Sequence, residues 1–472
     1  MGLFDVRDLP RPEPKALKAA IDALAARFGN RVITSQAVRE QHGHTTTWLR
    51  NQPPDAVVMA QETADIQDAV RICAQHRVPV IGFGAGSSLE GQVNAPAGGV
   101  TIDMHDMNRI IAVHAEDLDC VIEPGVTRKA LNEHLRDQGL FFPIDPGADA
   151  SLGGMASTRA SGTNAVRYGT MRDNVLALKV VRGDGEIITT GTRARKSSAG
   201  YDLTHLFVGA EGTLGIICEL TMKLRGIPET IAAASCSFPS IEAACKATIM
   251  AIQTGIPMAR IELLDVLQVR ACNAYSKLTL KESPLLLLEF HGSGVEVEAQ
   301  SKSFAEIAAE CGGGDFEWTT RPEDRTRLWQ ARHDSYWAGC ALKPGAAAAA
   351  TDVCVPISRL ADCVAETERD LRESGLTGPI VGHVGDGNFH VLLLRDPNDE
   401  DEAARADGFL HRLVERAHRM DGTCTGEHGI GQGKQKYLTD ELGPEAVAAM
   451  RALKTALDPQ NIFNPGKILP AE

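Results

Sequence analysis

The sequence contains no Cys-x-x-Cys pair, although it has 11 cysteines. These cysteines are scattered and odd in number, which argues against an iron–sulfur cluster or a cysteine-type structural zinc site and indicates a reducing compartment. Basic residues are also scarce: 48 Lys and Arg stand against 62 Asp and Glu, a formal net charge of −14. Such a charge argues against nucleic acid as a partner and against electrostatic docking to an anionic membrane surface.

Long apolar runs are missing as well. No stretch approaches the roughly 18 consecutive apolar residues of a spanning helix, so we expect no transmembrane segment. Residues 1–14 carry charges and prolines but no apolar core of a secretion signal. The default location is therefore the cytoplasm, with peripheral attachment to the inner membrane as the alternative.

The chain has 472 residues, of which 43% are hydrophobic and 23% charged. This composition is that of an ordinary globular protein, and the length predicts two or three domains. The spacing of apolar residues predicts a helix over Pro14–Phe28 and a second helix from Thr63, as its cap, through Cys73. Short strands are predicted at Ala56–Ala60, Val78–Gly82 and Val175–Val181, the last pairing with 185–189 around an Asp184-Gly185 turn.

A glycine-rich loop follows the strand that ends at Gly82. The stretch Gly82–Gly91 is not a dinucleotide-binding fingerprint, because Leu89 occupies the position of its last glycine. Taken alone, the loop is more often a tight turn than a cofactor site. Similar loops follow at 145–169 and 209–216, however, and glycines let backbone N–H groups surround phosphate oxygens. Together these loops predict a large phosphate-bearing cofactor lying across several of them.

The stretch His383–His390 contains an Asp386-Gly387 pair, which favours a two-residue hairpin turn. Such a turn would place His383 opposite His390, with Cβ atoms roughly 5 Å apart, a separation that suits two imidazoles on one metal ion. The alternative is a structural or incidental histidine pair. Downstream, Gly426–Gly431 offers a carboxylate, Glu427, and another imidazole, His428. Three ligands with one open position would make a catalytic metal site.

A helix is predicted to begin at Pro322, with acidic residues in its first turn. Leu328, Trp329, Arg332 and Tyr336 would share one face of it by their 3–4 spacing. An inward-facing Arg332 can bind a carboxylate through two parallel hydrogen bonds. The alternative, a salt-bridged or snorkelling arginine, fits the helix geometry equally well.

These motifs together resemble the FAD-linked 2-hydroxy-acid dehydrogenases of the vanillyl-alcohol oxidase fold. The resemblance covers nearly the whole chain and rests on Pro79–Gly91, Gly209–Ile216, His383–His390, Gly426–Gly431 and Asn464–Lys467. Within that family the chain most resembles the cytochrome-type D-lactate dehydrogenases, particularly in Thr351–Leu360 and Val381–Gly431.

The resemblance implies an α+β fold with a vanillyl-alcohol-oxidase-type (PCMH-type) FAD-binding domain at 1–226. It further implies an α+β substrate or cap domain with the metal site at 227–440, and a C-terminal segment, 441–472, that returns to the flavin. The loop Gly82–Gly91 lacks the His or Cys by which some relatives attach flavin, so noncovalent FAD is expected. The residues implied to bind FAD are Gly82, Phe83, Gly84, Ala85, Gly86, Ser87, Ser88, Pro146, Gly147, Gly153, Gly154, Ser157, Ser161, Gly162, Gly215, Ile216 and Asn464.

The resemblance also implies roles at the catalytic centre. His383, His390 and Glu427 correspond to the family's metal ligands, His428 to its base and Arg332 to its carboxylate-binding arginine, while Asn388 is expected to contact substrate or a ligand. Two imidazoles and a carboxylate accept zinc, manganese or iron, and zinc and manganese are the expected metals.

The implied activity is oxidation of D-lactate, or a similar short D-2-hydroxy acid, to the 2-oxo acid, with electrons passing to a cytochrome, a quinone or an electron-transfer flavoprotein. A homodimer is one expected assembly. Glycolate and D-2-hydroxyglutarate are alternative substrates, although Ala350-Thr351 stands where relatives that use the latter have a lysine before the residue aligned with Asp352. A metal-dependent hydrolase, in which the glycine loops are only turns, is the alternative from another class.

Overall fold

The computed structural model describes residues 6–45 and 47–471. The sequence predicts no secretion signal in residues 1–14. Residues 1–5 of that segment lie outside the described part. The rest folds into three larger sheets and a two-stranded ribbon, with helices packed against them.

The first sheet has the strand order β1-β2-β4-β3, with β2, β4 and β3 parallel. Its elements are α1 Pro14–Phe28, β1 Val32–Ile33, α2 Gln36–His42, β2 Ala56–Met59, α3 Thr63–His76, β3 Val80–Phe83 and β4 Val100–Asp103. The prediction for α1 is confirmed, and Leu24 and Phe28 are buried on its inner face. The cap prediction is wrong, because α3 begins after Glu62 and extends three residues beyond Cys73.

The second sheet is antiparallel, with the order β5-β6-β10-β8-β9. Its elements and neighbours are β5 Ile110–His114, β6 Asp119–Ile122, α4 Arg128–Leu135, β7 Leu140–Phe141, α5 Leu152–Thr158, α6 Ala165–Tyr168, α7 Met171–Asn174, β8 Val175–Val181, β9 Ile187–Thr189, α8 Leu203–Phe207, β10 Ile216–Lys223 and β11 Arg225–Gly226. The strand predicted at Val175–Val181 is confirmed, and Gly185 in the following turn has a φ of +76°.

The third sheet has the order β15-β12-β14-β13-β18-β19-β16, with β17 also paired to β19. Its elements are β12 Thr230–Ser237, α9 Ile241–Gln253, β13 Met258–Leu264, α10 Val266–Ser276, β14 Leu285–Gly292, α11 Gly294–Glu310, β15 Gly314–Thr319, α12 Pro322–His333, α13 Ser335–Cys340, β16 Ala347–Ala350, β17 Val353–Cys354, α14 Leu360–Ser374, β18 Ile380–Gly382, β19 Asn388–Arg395 and α15 Glu400–Arg419.

Both faces of this third sheet are covered. Leu286 and Leu288 of β14 belong to one apolar core, whereas Leu285 and Leu287 belong to another. Because side chains alternate along a strand, the two cores lie on opposite faces. Because both faces are covered, β14 is a continuous apolar run. Arg260, Glu262 and Leu264 of β13 lie on the face covered by α10, α12 and α13.

The C-terminal segment, with α16 Leu438–Leu442 and α17 Pro444–Leu457, returns to the first sheet. Val80 of β3 donates its N–H to Ile462 O at 2.7 Å and accepts the N–H of Asn464 at 2.9 Å. Lys467 is buried and donates to Asn94 O at 2.8 Å. The end of the chain therefore lies beside the loop that follows β3.

Candidate active site and cofactor cleft

The segment from His383 to His390 joins β18 to β19, but not through the predicted two-residue turn. The strand register pairs Val381, not His383, with His390. Residues 384–386 form a short 3-10 turn, and Gly387 closes it with a φ of +80°. The hairpin prediction is wrong because β17 also pairs with β19 here, and Val355 N–H donates to Gly387 O at 3.0 Å.

The two histidine rings nevertheless converge, with centroids 5.4 Å apart. Glu427 Oε1 lies 3.1 Å from His383 Nε2 and 3.3 Å from His390 Nε2. The other ring nitrogens are engaged: His383 Nδ1 lies 2.7 Å from Glu262 Oε1, and His390 Nδ1 lies 2.9 Å from Thr351 O. These contacts favour protons on both Nδ1 atoms, so the two Nε2 atoms beside Glu427 are the ones available to an ion. This donor set fits a divalent cation.

The electrostatics of the cluster agree with that fit. Burial alone would raise the pKa of Glu427, but His383 and His390 outweigh it and hold the pKa well below its usual range. Burial alone would lower the pKa of His383, but Glu262 and Glu427 raise it well above its usual value. The site thus stabilises positive charge between carboxylates, and a divalent ion would supply that charge by displacing a proton.

His428, the predicted base, stacks on His390 with ring centroids 5.2 Å apart and planes inclined by 8°. Its Nδ1 is buried without a hydrogen-bond partner among the described residues and lies 3.8 Å from Glu90 Oε1. Burial lowers the pKa of His428, but the negative charge of Asp352 outweighs this and raises it. A buried imidazole with an unused nitrogen can exchange a proton with a bound ligand.

Asp352, to which the sequence analysis assigned no role, organises the loop that carries Glu427 and His428. Its Oδ2 accepts both of their backbone N–H groups at 2.9 Å and the Thr425 hydroxyl at 2.7 Å. Asn388 Nδ2 donates to Asp352 Oδ1 and to Val353 O, each at 2.8 Å. The amide of Asn388 therefore holds Asp352, and only its Oδ1 remains for the ligand contact predicted from the sequence.

Arg332 lies in the last turn of α12 and faces inward as expected, but Tyr336 belongs to α13, so the predicted single helical face ends at His333. Its Nε donates to Glu262 Oε2 at 2.6 Å. This single hydrogen bond leaves the two terminal nitrogens without a partner among the described residues. The salt-bridged and the ligand-binding interpretations of Arg332 are therefore compatible.

Glu262, like Asp352, was missed by the sequence analysis. It is fully buried in β13 and contacts both Arg332 and His383. The sequence did carry a signal: Glu262 lies in the largely apolar stretch Met258–Leu264, and a carboxylate that is buried in such a strand needs a charged or hydrogen-bonding partner. The identity of its partners, however, depends on α12 and on the loop after β18, which no local pattern specifies.

The loop after β3 packs closely against the start of α5. A Cβ atom on Gly84 would lie 2.1 Å from Ser151 Oγ, and one on Gly154 would lie 3.0 Å from the same oxygen. Gly86 has a φ of +65°, which disfavours a side chain there. The hydroxyls of Ser88 and Ser151 are buried without partners among the described residues. Polar groups left open along a glycine-lined cleft fit the phosphate and polar groups of FAD.

The other residues predicted to bind FAD fall into two groups. Ala85, Ser87, Pro146, Gly147, Ser161 and Gly162 lie in loops, Phe83 is the last residue of β3, and Gly153 and Ser157 lie in α5. Gly82, Gly215 and Ile216 lie in or beside strands, and Ile216 belongs to the core of the first sheet, within 3.2 Å of a Cβ placed on Gly82. Any FAD contact by Ile216 would therefore involve its backbone. Asn464 keeps a buried Oδ1 open while its Nδ2 donates to Gln92 O and Glu211 O.

Two family models match the chain. Residues 54–191 match the FAD binding domain model, and residues 227–468 match the model of the C-terminal domain of FAD linked oxidases. The chain belongs to the FAD-linked oxidase family. It is an FAD-dependent enzyme, as the resemblance implied, and the hydrolase alternative is no longer supported.

Curated relatives of this FAD-linked oxidase span most of its length. A probable mitochondrial D-lactate dehydrogenase of Danio rerio is 53% identical over 93% of this chain and 89% of its own. The mitochondrial D-lactate dehydrogenase [cytochrome] of Arabidopsis thaliana is 46% identical over 88% of this chain and 74% of its own. Glycolate oxidase subunit GlcD of Bacillus subtilis is 35% identical over 92% of this chain and 93% of its own.

Among solved structures, substrate-bound p-cresol methylhydroxylase aligns with a TM-score of 0.79 over 98% of both chains, at 19% identity. The 4-ethylphenol oxidase of Gulosibacter chungangensis has the same TM-score, with coverage of 97% and 98%. These likenesses confirm the PCMH-type α+β fold. Among the described residues, no helix is both long and apolar enough to cross a membrane.

Proposed function

We propose that this FAD-linked oxidase oxidises D-lactate, or a similarly short D-2-hydroxy acid, to the 2-oxo acid. The observation that carries the proposal is one continuous chain of contacts. Arg332 contacts Glu262 at 2.6 Å, Glu262 contacts His383 at 2.7 Å, and His383 contacts Glu427 at 3.1 Å. These contacts bring the proposed carboxylate anchor and the proposed metal ligands together, and the proposed base, His428, stacks on His390 beside them.

In this proposal each side chain has one task. The terminal nitrogens of Arg332 bind the substrate carboxylate. His383, His390 and Glu427 would hold a divalent ion, zinc or manganese, and that ion would supply Lewis-acid chemistry at the α-hydroxyl. His428 accepts the hydroxyl proton through its unpaired nitrogen. The glycine-lined cleft would hold FAD noncovalently, and bound FAD would supply the hydride-accepting chemistry.

The loop arrangement supports the assignment of FAD contacts to 82–88, 146–162, 215–216 and Asn464. We also propose the domain limits 1–226, 227–440 and 441–472. Matches to the two family models fall on either side of the first limit. The returning segment 462–467 supports a C-terminal part that closes the cofactor cleft.

We assign reoxidation of the flavin to a cytochrome, with a quinone or an electron-transfer flavoprotein as alternatives. Two relatives, from Arabidopsis thaliana and Kluyveromyces lactis, carry the word cytochrome in their names. Both relatives are also named mitochondrial. A cytoplasmic location, a homodimer and peripheral attachment to the inner membrane stay predictions from the sequence. Glycolate is kept as a second candidate substrate because of the relative named glycolate oxidase subunit.

The experiment that tests the proposal is anaerobic bleaching of the flavin absorbance of the purified protein. D-lactate, L-lactate, glycolate and D-2-hydroxyglutarate are compared with and without prior chelator treatment. We expect rapid bleaching by D-lactate, loss of that bleaching after chelation, and its return on adding Zn²⁺ or Mn²⁺. Bound flavin that none of these acids reduces would refute the proposed substrate class while leaving the fold intact.

A further inference from the structure

Glu262 contacts two parts of the proposed site at once. It projects from β13 onto the sheet face covered by α12, and its side chain is fully buried. Oε1 accepts from His383 Nδ1 at 2.7 Å, and Oε2 accepts from Arg332 Nε at 2.6 Å. Each carboxylate oxygen therefore has its own cationic or proton-donating partner.

The contact with His383 fixes how that histidine can bind a metal. A carboxylate accepts hydrogen bonds and does not donate them, so the contact with Glu262 keeps a proton on Nδ1 of His383. Nε2, which lies 3.1 Å from Glu427, is then the nitrogen that would bind an ion in place of its own proton. Partners of this kind orient a ligating ring, and their loss typically weakens metal affinity by about 10- to 100-fold.

The contact with Arg332 fixes how that arginine can bind a substrate. With Nε held by Glu262, the guanidinium plane is set, and its side chain is only 16% exposed. The two terminal nitrogens form a fork that matches one carboxylate. A guanidinium without this partner would rotate and would lose part of its affinity for the anion.

We propose that Glu262 is a positioning residue that holds the carboxylate-binding arginine, Arg332, and the metal-binding histidine, His383, in a fixed position relative to each other. Because one buried side chain holds both groups, Glu262 would set how far a carboxylate bound to Arg332 lies from an ion bound to His383. A short fixed distance would favour 2-hydroxy acids, whose carboxylate and hydroxyl are on adjacent carbons. The inference rests on the proposed function for its substrate part, whereas its metal part stands independently.

Glu262→Gln provides the test, because an amide has one acceptor oxygen and one NH₂ group. The amide can satisfy either His383 or Arg332, and it presents a donor to the other. Metal affinity is measured on the FAD-loaded full chain, stripped by chelator, by titrating Mn²⁺ and following free Mn²⁺ by electron paramagnetic resonance. KM and kcat for D-lactate are measured from flavin reduction at saturating Mn²⁺. We expect Mn²⁺ affinity at least about tenfold weaker, KM at least about tenfold higher, or both.

Glu289→Gln is the matched control. Glu289 is a buried carboxylate on the neighbouring strand β14, and it also contacts a histidine and an arginine: His291 at 2.7 Å and Arg260 at 3.6 Å. Its replacement should leave Mn²⁺ affinity and KM unchanged. If Glu262→Gln does not fold, Glu262→Asp, which keeps the charge but shortens the reach, is measured in the same way.

The outcomes separate the inference from the proposed function. Unchanged Mn²⁺ affinity and unchanged KM in a folded Glu262 variant would overturn the positioning role. Equal losses in Glu289→Gln would also overturn it, since they would indicate general destabilisation of the sheet. If D-lactate fails to reduce the wild-type flavin, the substrate proposal fails, yet the difference in Mn²⁺ affinity between wild type and variant still tests Glu262.

Discussion

The Asp352 carboxylate accepts the backbone N–H of His428 at 2.9 Å. This contact ties the strand-side motif around 351–355 to the glycine loop that carries the proposed base. Burial alone would raise the pKa of Asp352, but His428, Lys434 and His390 outweigh it and hold the pKa well below its usual range. Asp352 is therefore an anion that holds the backbone of the loop at Glu427 and His428 in place.

Replacing Asp352 with Asn should slow flavin reduction by at least about tenfold, since it removes one charged acceptor and displaces Glu427 and His428. The measurement is stopped-flow flavin reduction by D-lactate, with FAD content as a check on folding. Asp370→Asn is the control, because Asp370 is a carboxylate of α14 that pairs with two arginines of α15. A wild-type rate in the Asp352→Asn variant would contradict the organising role.

His428→Ala should lower the rate of flavin reduction by about 10²- to 10⁴-fold, because the hydroxyl proton loses its acceptor. FAD should remain bound, since the side chain is small and lies on the substrate side of the cluster in this proposal. Single-turnover reduction and the flavin spectrum measure the two effects. His411→Ala, at an exposed position of α15, should change neither. Reduction at the wild-type rate without His428 would exclude it as the base.

His383→Ala should lose bound metal and catalytic rate together. The variant removes one of three ligand atoms and also leaves Glu262 without its histidine partner. Metal content by atomic emission and flavin reduction are measured on the same preparation. A metal-free variant that is fully active would show that the ion has no part in catalysis.

Gly84→Ala should lower FAD occupancy, because its Cβ would collide with Ser151 Oγ at 2.1 Å and push apart the two loops of the cleft. Occupancy is read from the ratio of flavin to protein absorbance. Gly226→Ala is the matched control, since a Cβ there meets nothing within 4 Å. Full FAD occupancy in the Gly84 variant would indicate that this close approach does not shape the cofactor site.

Stability should depend on pH through His42, which contacts Asp103 at 2.9 Å and Val38 O at 2.7 Å beside the ring of Phe83. Burial lowers the pKa of His42, but these two hydrogen bonds outweigh it and raise the pKa above 6.5. The charged form therefore stabilises the fold fully below the unfolded pKa, and this stabilisation is lost as pH rises through the higher folded value. Urea unfolding of wild type and His42→Gln should differ more at pH 6 than at pH 9. A constant difference would contradict the assignment.

The sequence by itself determined the features that depend on local periodicity and on short motifs. The apolar spacing of 14–28 specified α1, the apolar run 175–181 specified β8, and the glycine-dense loops predicted a phosphate-bearing cofactor. The motifs around His383–His390 and Gly426–Gly431 were sufficient to identify the family, and with it FAD and the PCMH-type fold.

Only the tertiary structure decided how the proposed catalytic groups are held. The turn before His390 is longer than its Asp-Gly signal predicted, because β17 pairs with β19 and constrains Gly387. The roles of Asp352 and Glu262 depend on partners 76 and 70 residues away in the chain. A buried carboxylate is stable only with such partners, and which partners it meets is set by the packing of sheet, helix and loop rather than by any neighbouring residue.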